Sequence, residues 1–446
     1  MRSLARIALL DDSYLTREFT GGGSVNAVEV IDRLASEFEL IYLPKVRVLQ
    51  NVNSDRISRL ERNIKVIEIK GIQVSETFKK LLYLVKNQNI TSLSQIRDIM
   101  ISGYINELSE TDLVFDNDYS PSLYPSPMFK GEILDIARLS RVKEVGLVFR
   151  GFSCINRSNR LGLLKLLILL EPRAMTRMKG ISRLLSHLLH PEFDLFLINS
   201  IIKLKKLKFL GIVDPSVIAR FPQLRKLNNK VHRLYPGDAS RFGIQTNTVP
   251  KADYAIFYAR LVPEKGILEI PLILKELKEN FNRTMELHVA GVFSNDCDKH
   301  AFNNLIRKCQ VGANVKILGF ISEDALKIEL ERAKVMIYPS HSDSYSIAII
   351  EALSMRTKVI AYDIPALREL YGEIDAVRLV KEYDFRSIAK EVMKQIQSPE
   401  SEYFRSFEKA EFREFMTVHS SYEYLKPHTI AISDQPEFRR LCFSDL

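Results

Sequence analysis

Val335-Met336-Ile337-Tyr338-Pro339-Ser340-His341-Ser342-Asp343-Ser344-Tyr345-Ser346-Ile347-Ala348-Ile349-Ile350-Glu351-Ala352 is the stretch on which the reading of the fold turns. Val335–Tyr338 is an unbroken apolar run, the pattern of a short strand buried on both faces. Proline ends it, a serine-rich polar loop follows, and an apolar helix is expected from about Ser346 to Met355. Outward from this unit the same grammar repeats. Tyr254–Tyr258 reads as a strand, Leu268–Glu279 as a helix, and Glu286–Ala290 as a strand ending at Gly291. Val315–Leu318 and Lys358–Ala361 read as further strands. Strands that alternate with helices belong to parallel sheets built from βαβ units.

The first half has the same pattern. Ile7–Leu10 is expected as a strand and Val25–Glu37 as a helix. Glu39–Leu43, Lys65–Ile69, Leu113–Phe115, Val145–Phe149 and Leu195–Ile198 are expected as strands. Between the halves, Tyr235-Pro236-Gly237-Asp238 through Thr248-Val249-Pro250 is polar and rich in turn formers. The expected fold class is therefore α/β, with two Rossmann-like, doubly wound parallel-sheet domains facing across a cleft. The expected divisions are 1–236, a linker 237–252, a second domain 253–400, and a helical segment 401–446 packing back on the first domain. In open α/β sheets the ligand meets the carboxyl ends of the strands.

A chain of 446 residues, 46% hydrophobic and 27% charged, is long enough for two real cores. Cys154, Cys297, Cys309 and Cys442 lie far apart and no pair has Cys-x-x-Cys spacing, which speaks against a zinc site or a disulfide framework. The eight histidines are scattered as well. Met1-Arg2-Ser3-Leu4 leads straight into a strand pattern without a signal-peptide apolar region. The longest apolar run, Leu161–Leu170, contains Lys165 and falls short of the roughly 20 residues that span a bilayer. A cytoplasmic protein is expected, with a peripheral place at the membrane's cytoplasmic face in view. Residues 1–248 carry 37 Lys and Arg against 25 Asp and Glu, a net of +12, whereas 249–446 are at −3. A basic half beside a near-neutral one suits an anionic partner or simply a soluble surface.

Three segments carry chemistry. The loop and helix start at Ser344–Ile347 would offer free backbone N–H groups to a diphosphate. Asp343 precedes that turn, and Glu351 lies one to two turns into the helix, where a carboxylate can hold a diol. A capped helix with acidic neighbours has the same pattern. In Tyr258-Ala259-Arg260-Leu261-Val262-Pro263-Glu264-Lys265-Gly266, two cations flank a turn that leaves a strand. Arg260 can grip phosphate oxygens bidentately and Lys265 can add a point charge, although loop cations are often merely solvated. Gly21-Gly22-Gly23-Ser24 permits close backbone approach after the first strand. It is neither a Gly-x-Gly-x-x-Gly fingerprint nor a P-loop, and a flexible turn fits it equally.

In combination these segments resemble the family 4 glycosyltransferases, retaining enzymes of the GT-B fold. The family has a Gly-Gly loop after its first strand, an Arg…Lys-Gly turn opening its second domain, and a Glu, seven residues and a second Glu followed by Ala. The resemblance continues through His288-Val289-Ala290-Gly291, Val315-Lys316-Ile317-Leu318-Gly319-Phe320 and Val359-Ile360-Ala361 to Glu369. It is dense over 254–369 and thin before, resting there on Gly21–Gly23, Phe193-Asp194 and Tyr235-Pro236-Gly237-Asp238. The resemblance implies that Arg260 and Lys265 bind the diphosphate, Glu351 the ribose, Asp343 the transferred sugar, and the amides of Ser346 and Ile347 the distal phosphate. It implies that backbone near Phe320 and Ile321 faces the base and that Gly22 or Gly23 approaches the phosphate or sugar. A UDP- or GDP-sugar would be the donor, with no cofactor and no metal. In three places the chain departs from the pattern. Asp343 stands where the family has its first Glu, Ser346 where a Gly is common, and Arg150, in Phe149-Arg150-Gly151, where a His is frequent near the sugar.

From Arg141 to Arg183 ten basic residues face only Glu144 and Glu171, threaded by Leu161-Gly162-Leu163-Leu164-Lys165-Leu166-Leu167. That pattern fits an amphipathic helix on an anionic membrane, and equally a core helix with a solvated edge. The expected function is retaining transfer of a hexose to a lipid-linked or glycan acceptor, with no nucleic-acid partner. The alternatives are a non-catalytic nucleotide-sugar-binding or scaffold protein, and another GT-B chemistry such as a sugar phosphorylase.

Overall fold

The computed structural model describes residues 6–16, 31–32, 34–50, 52–88, 90, 92–108, 111–116, 132–149, 198–234 and 242–420. They form two wholly parallel sheets. The first contains β1 (Arg6–Asp11), β2 (Glu39–Pro44), β3 (Gln73–Val74), β4 (Leu113–Asp116), β5 (Glu144–Phe149), β6 (Leu207–Ile212) and β7 (Val231–Arg233), in the order β3-β2-β1-β4-β5-β6-β7. The second contains β8 (Ala252–Tyr258), β9 (Glu286–Ala290), β10 (Val315–Gly319), β11 (Ala333–Tyr338), β12 (Lys358–Tyr362) and β13 (Val377–Val380), in the order β10-β9-β8-β11-β12-β13. Each order reverses once, between β1 and β4 and between β8 and β11. Those reversals are the switch points at which doubly wound sheets bind ligands.

Helices α1 (Ser13–Thr16), α2 (Ser54–Ile69), α3 (Glu76–Lys86), α4 (Leu93–Glu107), α5 (Glu132–Leu139) and α6 (Ser216–Arg220) accompany the first sheet. Helices α7 (Ile270–Phe281), α8 (Asp296–Cys309), α9 (Glu323–Arg332), α10 (Ile347–Ser354), α11 (Pro365–Tyr371) and α12 (Phe385–Gln397) accompany the second. Then come α13 (Glu400–Glu408) and α14 (Ala410–Ser420). Side chains cap several starts: Asn53, Ser75, Asn295, Ser322 and Asp384 each accept a hydrogen bond from an N–H three residues on. Every residue of β11 is buried, as expected for a strand covered by helices on both faces.

One expected strand is a helix. Lys65–Ile69 is the last part of α2, because Ile57, Leu60, Ile64 and Ile67 recur at helical spacing and bury one stripe. Of the expected strand Leu195–Ile198, residues 195–197 lie outside the described residues, while Ile198 is helical, with Ile198 and Ile201 buried, and the described sheet continues through β6 and β7. Short edge strand β13 had no expectation. Of the expected helix at 25–37, residues 31–32 and 34–37 are described and helical. Gly22, Gly23, Arg150 and residues 151–183 lie outside the described residues.

Beyond the second sheet, the Tyr403 hydroxyl donates to Lys334 O at 2.8 Å and accepts from Lys358 N at 3.1 Å, fastening α13 to the amino ends of β11 and β12. On α14, His419 is hydrogen-bonded to the Tyr345 hydroxyl and buried. Burial and the Arg233 guanidinium on β7 hold its imidazole down at about 3, so it is neutral. No helix among the described residues is long and apolar enough to cross a membrane.

One glycine decides how closely the second switch point closes. Gly266 has φ +83°, and a Cβ there would meet Pro339 O at 2.0 Å. Only glycine supplies that conformation and that approach without strain. Gly266→Ala is expected to destabilise the protein by at least about 1–3 kcal/mol, the usual cost of a strained backbone. Its denaturation midpoint would fall accordingly. A Gly266→Ala protein that melts like the parent would show that the contact is slack.

Candidate active site

The two segments that leave the second switch point meet. After β8 the chain passes Ala259 and Arg260 to the 3₁₀ turn Pro263–Lys265, and after β11 it enters the loop from Pro339 to Ser346. The His341 N–H donates to Glu264 O at 2.9 Å, lacing the turn to the loop. The Lys265 ammonium donates to Asp343 Oδ2 at 2.7 Å and to Ser342 O at 2.9 Å, with both side chains mostly buried. The Tyr338 hydroxyl donates to the same Oδ2 at 2.6 Å. Burial, then the Asp343 carboxylate, push the Tyr338 phenol well above its usual range, so it remains a donor.

Two consequences follow from counting atoms. An ammonium has three N–H groups, and Lys265 has one left after Ser342 and Asp343. Both bonds to Asp343 fall on Oδ2, so among the described residues Oδ1 is the oxygen available to a further donor.

Ser346, the residue before α10, holds φ +59° and ψ +77°, a left-handed conformation that suits glycine and costs a serine some strain. The Tyr371 hydroxyl donates its one proton to Tyr345 O at 2.6 Å, with Ser346 O also within reach at 3.2 Å, and fixes the bend. It leaves the first amides of α10, at Ile347 and Ala348, at the helix end, where no intrahelical acceptor exists, while Ile349 N already donates to Ser346 O at 3.0 Å. Glu351 lies in the second turn of α10 and is 1% exposed. Arg260 is exposed, and its guanidinium bonds to no described residue. Phe320 and Ile321 follow β10 at the far edge of the sheet, two strands from β8, and Phe320 is 81% exposed. Lys265 and Asp343 are thus directly paired, and Ser346 and Ile347 follow on the same loop as Asp343. Arg260 and Glu351 stand on the same two segments, and Phe320 and Ile321 sit to one side. Among the described residues no group of three His, Cys, Asp or Glu side chains is arranged to hold a metal ion.

The structure adds groups that the sequence reading passed over. His341 is enclosed between Glu269 and Glu382, at 2.5 and 2.8 Å. Asp214 follows β6 of the first sheet, where an Asp-Pro-Ser turn after an apolar run was the available signal. It is 2% exposed, and its Oδ1 accepts from Ser216 N and Oγ at 2.9 and 2.6 Å. Burial lifts its carboxyl to about 6, and Asp343, from the second domain's loop, pushes the same way. Helix α6, which Asp214 precedes, packs on α11. The two domains therefore bring carboxyl groups to bear on one another at the carboxyl ends of their sheets.

Residues 242–410 match the family described as Glycosyl transferases group 1. No curated protein sequence matches the chain. Among solved structures, sucrose-phosphate synthase from Thermosynechococcus elongatus is similar over 95% of this chain and 97% of its own, with 11% identity and a TM-score of 0.64. HepE from Anabaena, in complex with UDP and glucose, is similar over 97% and 100%, with 12% identity and a TM-score of 0.62. A glycosyltransferase from Rickettsia africae ESF-5 is similar over 100% of both chains, with 13% identity and a TM-score of 0.57. At these identities the likeness establishes the fold, which is GT-B.

Asp214 gives a test of the interdomain electrostatics. A carboxyl raised on folding contributes stability below its unfolded value near 4, and that contribution is lost as pH rises through about 6. Asp214→Asn keeps an acceptor for Ser216 and removes the titration. Its melting temperature is expected to gain on the parent's between pH 4 and pH 7.5. A difference that does not change with pH would refute the raised carboxyl.

Proposed function

We propose that this GT-B chain, which carries a glycosyl transferases group 1 domain, is a metal-independent, retaining hexosyltransferase using a UDP- or GDP-sugar. The observation that carries the reading is the convergence at the β8–β11 switch point of a two-cation turn, an acidic loop and a helix start. Convergent donors of that kind suit a leaving diphosphate. Amides at Ser346 and Ile347 would take the distal phosphate, and Arg260 with the remaining Lys265 N–H would take the rest. Charge that grows on the diphosphate as the glycosidic bond breaks would be met by fixed donors, the work a metal does elsewhere.

In this reading Glu351 holds the ribose, Asp343 Oδ1 serves a hydroxyl of the sugar, and backbone near Phe320 and Ile321 faces the base. Gly22 or Gly23 approaches the donor from the first domain, as the family resemblance implies. The acceptor hydroxyl, on a glycan or a lipid-linked sugar, attacks from the face the diphosphate leaves, which takes up the proton; configuration is kept. Arg150 and the basic stretch 141–183 belong to the acceptor side and to contact with an anionic membrane.

The decisive experiment offers candidate nucleotide-sugars with lipid and glycan acceptors, in EDTA, and measures nucleotide diphosphate release. Transfer that persists in chelator with retained anomeric configuration is expected. Turnover that needs added divalent metal, or inorganic phosphate as co-substrate, or binding without turnover, would each overturn part of the reading.

Two variants separate binding from chemistry. Glu351→Gln loses a charge-assisted bond worth about 1.5–3 kcal/mol in ground and transition states alike, so donor affinity should fall with turnover preserved. Arg260→Ala should cut turnover by about 10²–10³, by analogy with loss of one oxyanion donor. Normal donor affinity in a Glu351→Gln protein that melts like the parent would remove that residue from the site.

A further inference from the structure

From the buried contacts of His341 we infer that it is the positioning residue of the donor site, its imidazolium tying together the three loops that leave β8, β11 and β13. The inference rests on the proposed donor site. Glu269, at the start of α7, is 0% exposed and its Oε1 accepts from the ring's Nε2 at 2.5 Å. Glu382, just beyond β13, accepts from Nδ1 at 2.8 Å. A neutral imidazole has one N–H and cannot donate to both carboxylates at once, whereas an imidazolium can. Two ionised carboxylates on opposite edges of one ring, Glu269 wholly buried and Glu382 mostly so, therefore call for the charged form.

The ring is wedged as well as bonded. It stacks on Tyr383 at 4.8 Å between centroids and tilts against Tyr362 at 5.0 Å. Among the described residues these four side chains, two carboxyls and two phenols, are the titratable groups around it. Both phenols are raised by burial first and by Glu269 next, so they stay neutral. Burial opposes charge on the imidazole, but the Glu269 and Glu382 carboxylates outweigh it and hold the group at about 9.

The link to the donor site is short. His341 lies two residues before Asp343, and its own N–H holds Glu264, the neighbour of Lys265. Ser340 Oγ donates to Ser342 O at 3.1 Å and reaches Glu264 O at 3.4 Å, reinforcing the same seam. Loss of the imidazolium proton leaves one carboxylate of the pair without its donor. The 340–343 loop is then free to leave the turn, and the geometry that presents Lys265 and Asp343 goes with it.

The sign follows from linkage. A histidine raised from near 6.5 to about 9 contributes stability in full below 6.5, and loses it as pH rises through 9. Donor affinity should therefore be flat to about pH 8 and then fall, roughly tenfold per unit well above the inflection for one linked proton. The shift caused by changing one of the ring's own partners is the deciding measurement. Glu382→Gln removes one carboxylate and should move the inflection down by about 1–3 units. It would do so without touching the residues proposed to bind donor.

The experiment follows the His341 ring nitrogens by NMR from pH 6 to 10.5 in the parent and in Glu382→Gln, alongside binding of the nucleotide diphosphate. Variants are compared at temperatures where both are folded by circular dichroism. The expected result is an imidazolium in the parent at pH 8 and a matched downward shift of both curves in Glu382→Gln. A neutral His341 ring at pH 7, or an affinity inflection that Glu382→Gln leaves in place, overturns the inference. Failure of the parent to bind any nucleotide diphosphate, with the ring titrating as expected, instead counts against the donor site itself. If Glu382→Gln does not fold, His341→Gln serves: it should bind donor more weakly than the parent at pH 7.5 and lack the parent's affinity inflection, and equal affinity at that pH sinks the idea.

Discussion

The close approach of two backbones at Gly266 and Pro339 is the constraint from which the rest of the second domain's geometry follows. Adjacent parallel strands are spaced by their ladders, but the segments leaving them diverge unless something holds them. Here the absence of a side chain at residue 266, together with its positive φ, lets the turn after β8 lie directly on the loop after β11. Only at that separation can His341 N–H reach Glu264 O, and Lys265 reach Ser342 and Asp343. Gly291 plays the neighbouring part, with φ +138° and a Cβ position 2.0 Å from Ala259 O, so that the exit of β9 closes on the exit of β8. Two glycines thus set the distances at which the charges interact.

Those charges are arranged in pairs of unequal commitment. Lys265 is neutralised by Asp343 within the protein, whereas Arg260 remains in solvent. A mostly buried cation such as Lys265 would be costly without its carboxylate partner, and an exposed one needs no partner at all. On the proposed reading an arriving diphosphate meets an exposed guanidinium and a fixed ammonium that must share itself with Asp343. The Asp343 carboxylate then has a double part, since it orients Lys265 through Oδ2 and has Oδ1 for a ligand. Its influence extends to Asp214 in the first domain, whose carboxyl is raised chiefly by burial and, in a smaller part, by the like charge of Asp343.

Much of this was legible in the chain because the second domain's strands are short apolar runs bounded by glycine and proline. The strand Glu286–Ala290 has the very limits read from the sequence, and the helix after Ser346 starts one residue later than expected. In the first domain, local composition misled. Lys-Val-Ile-Glu-Ile at 65–69 is rich in β-branched residues, yet a 3.6-residue stripe that begins as far back as Ile57 decides for helix. Strands β6 and β7 were missed because Lys-rich flanks mask the apolar run Leu207–Ile212 and because three residues make too short a signal for β7. The pairing of Lys265 with Asp343 and the enclosure of His341 by Glu269 and Glu382 depend on partners 78, 72 and 41 positions away along the chain, which no local pattern encodes.

The departures from the resembled family become intelligible on the same geometry. Serine at 346 accepts a left-handed backbone that glycine would adopt freely, and the Tyr371 hydroxyl, bonded to Tyr345 O with Ser346 O within reach, holds it there. Aspartate at 343 is one methylene shorter than the glutamate the family has, and that length matches the reach of Tyr338 and Lys265, both of which grip Oδ2 within 2.7 Å. A longer side chain would carry the carboxylate past these donors toward the ligand. The shorter one keeps it tied to the loop, so that any sugar it serves must come to Oδ1 in a fixed place. The chain gives up reach at this position and gains a carboxylate whose orientation is set within the loop itself, by Lys265 and Tyr338.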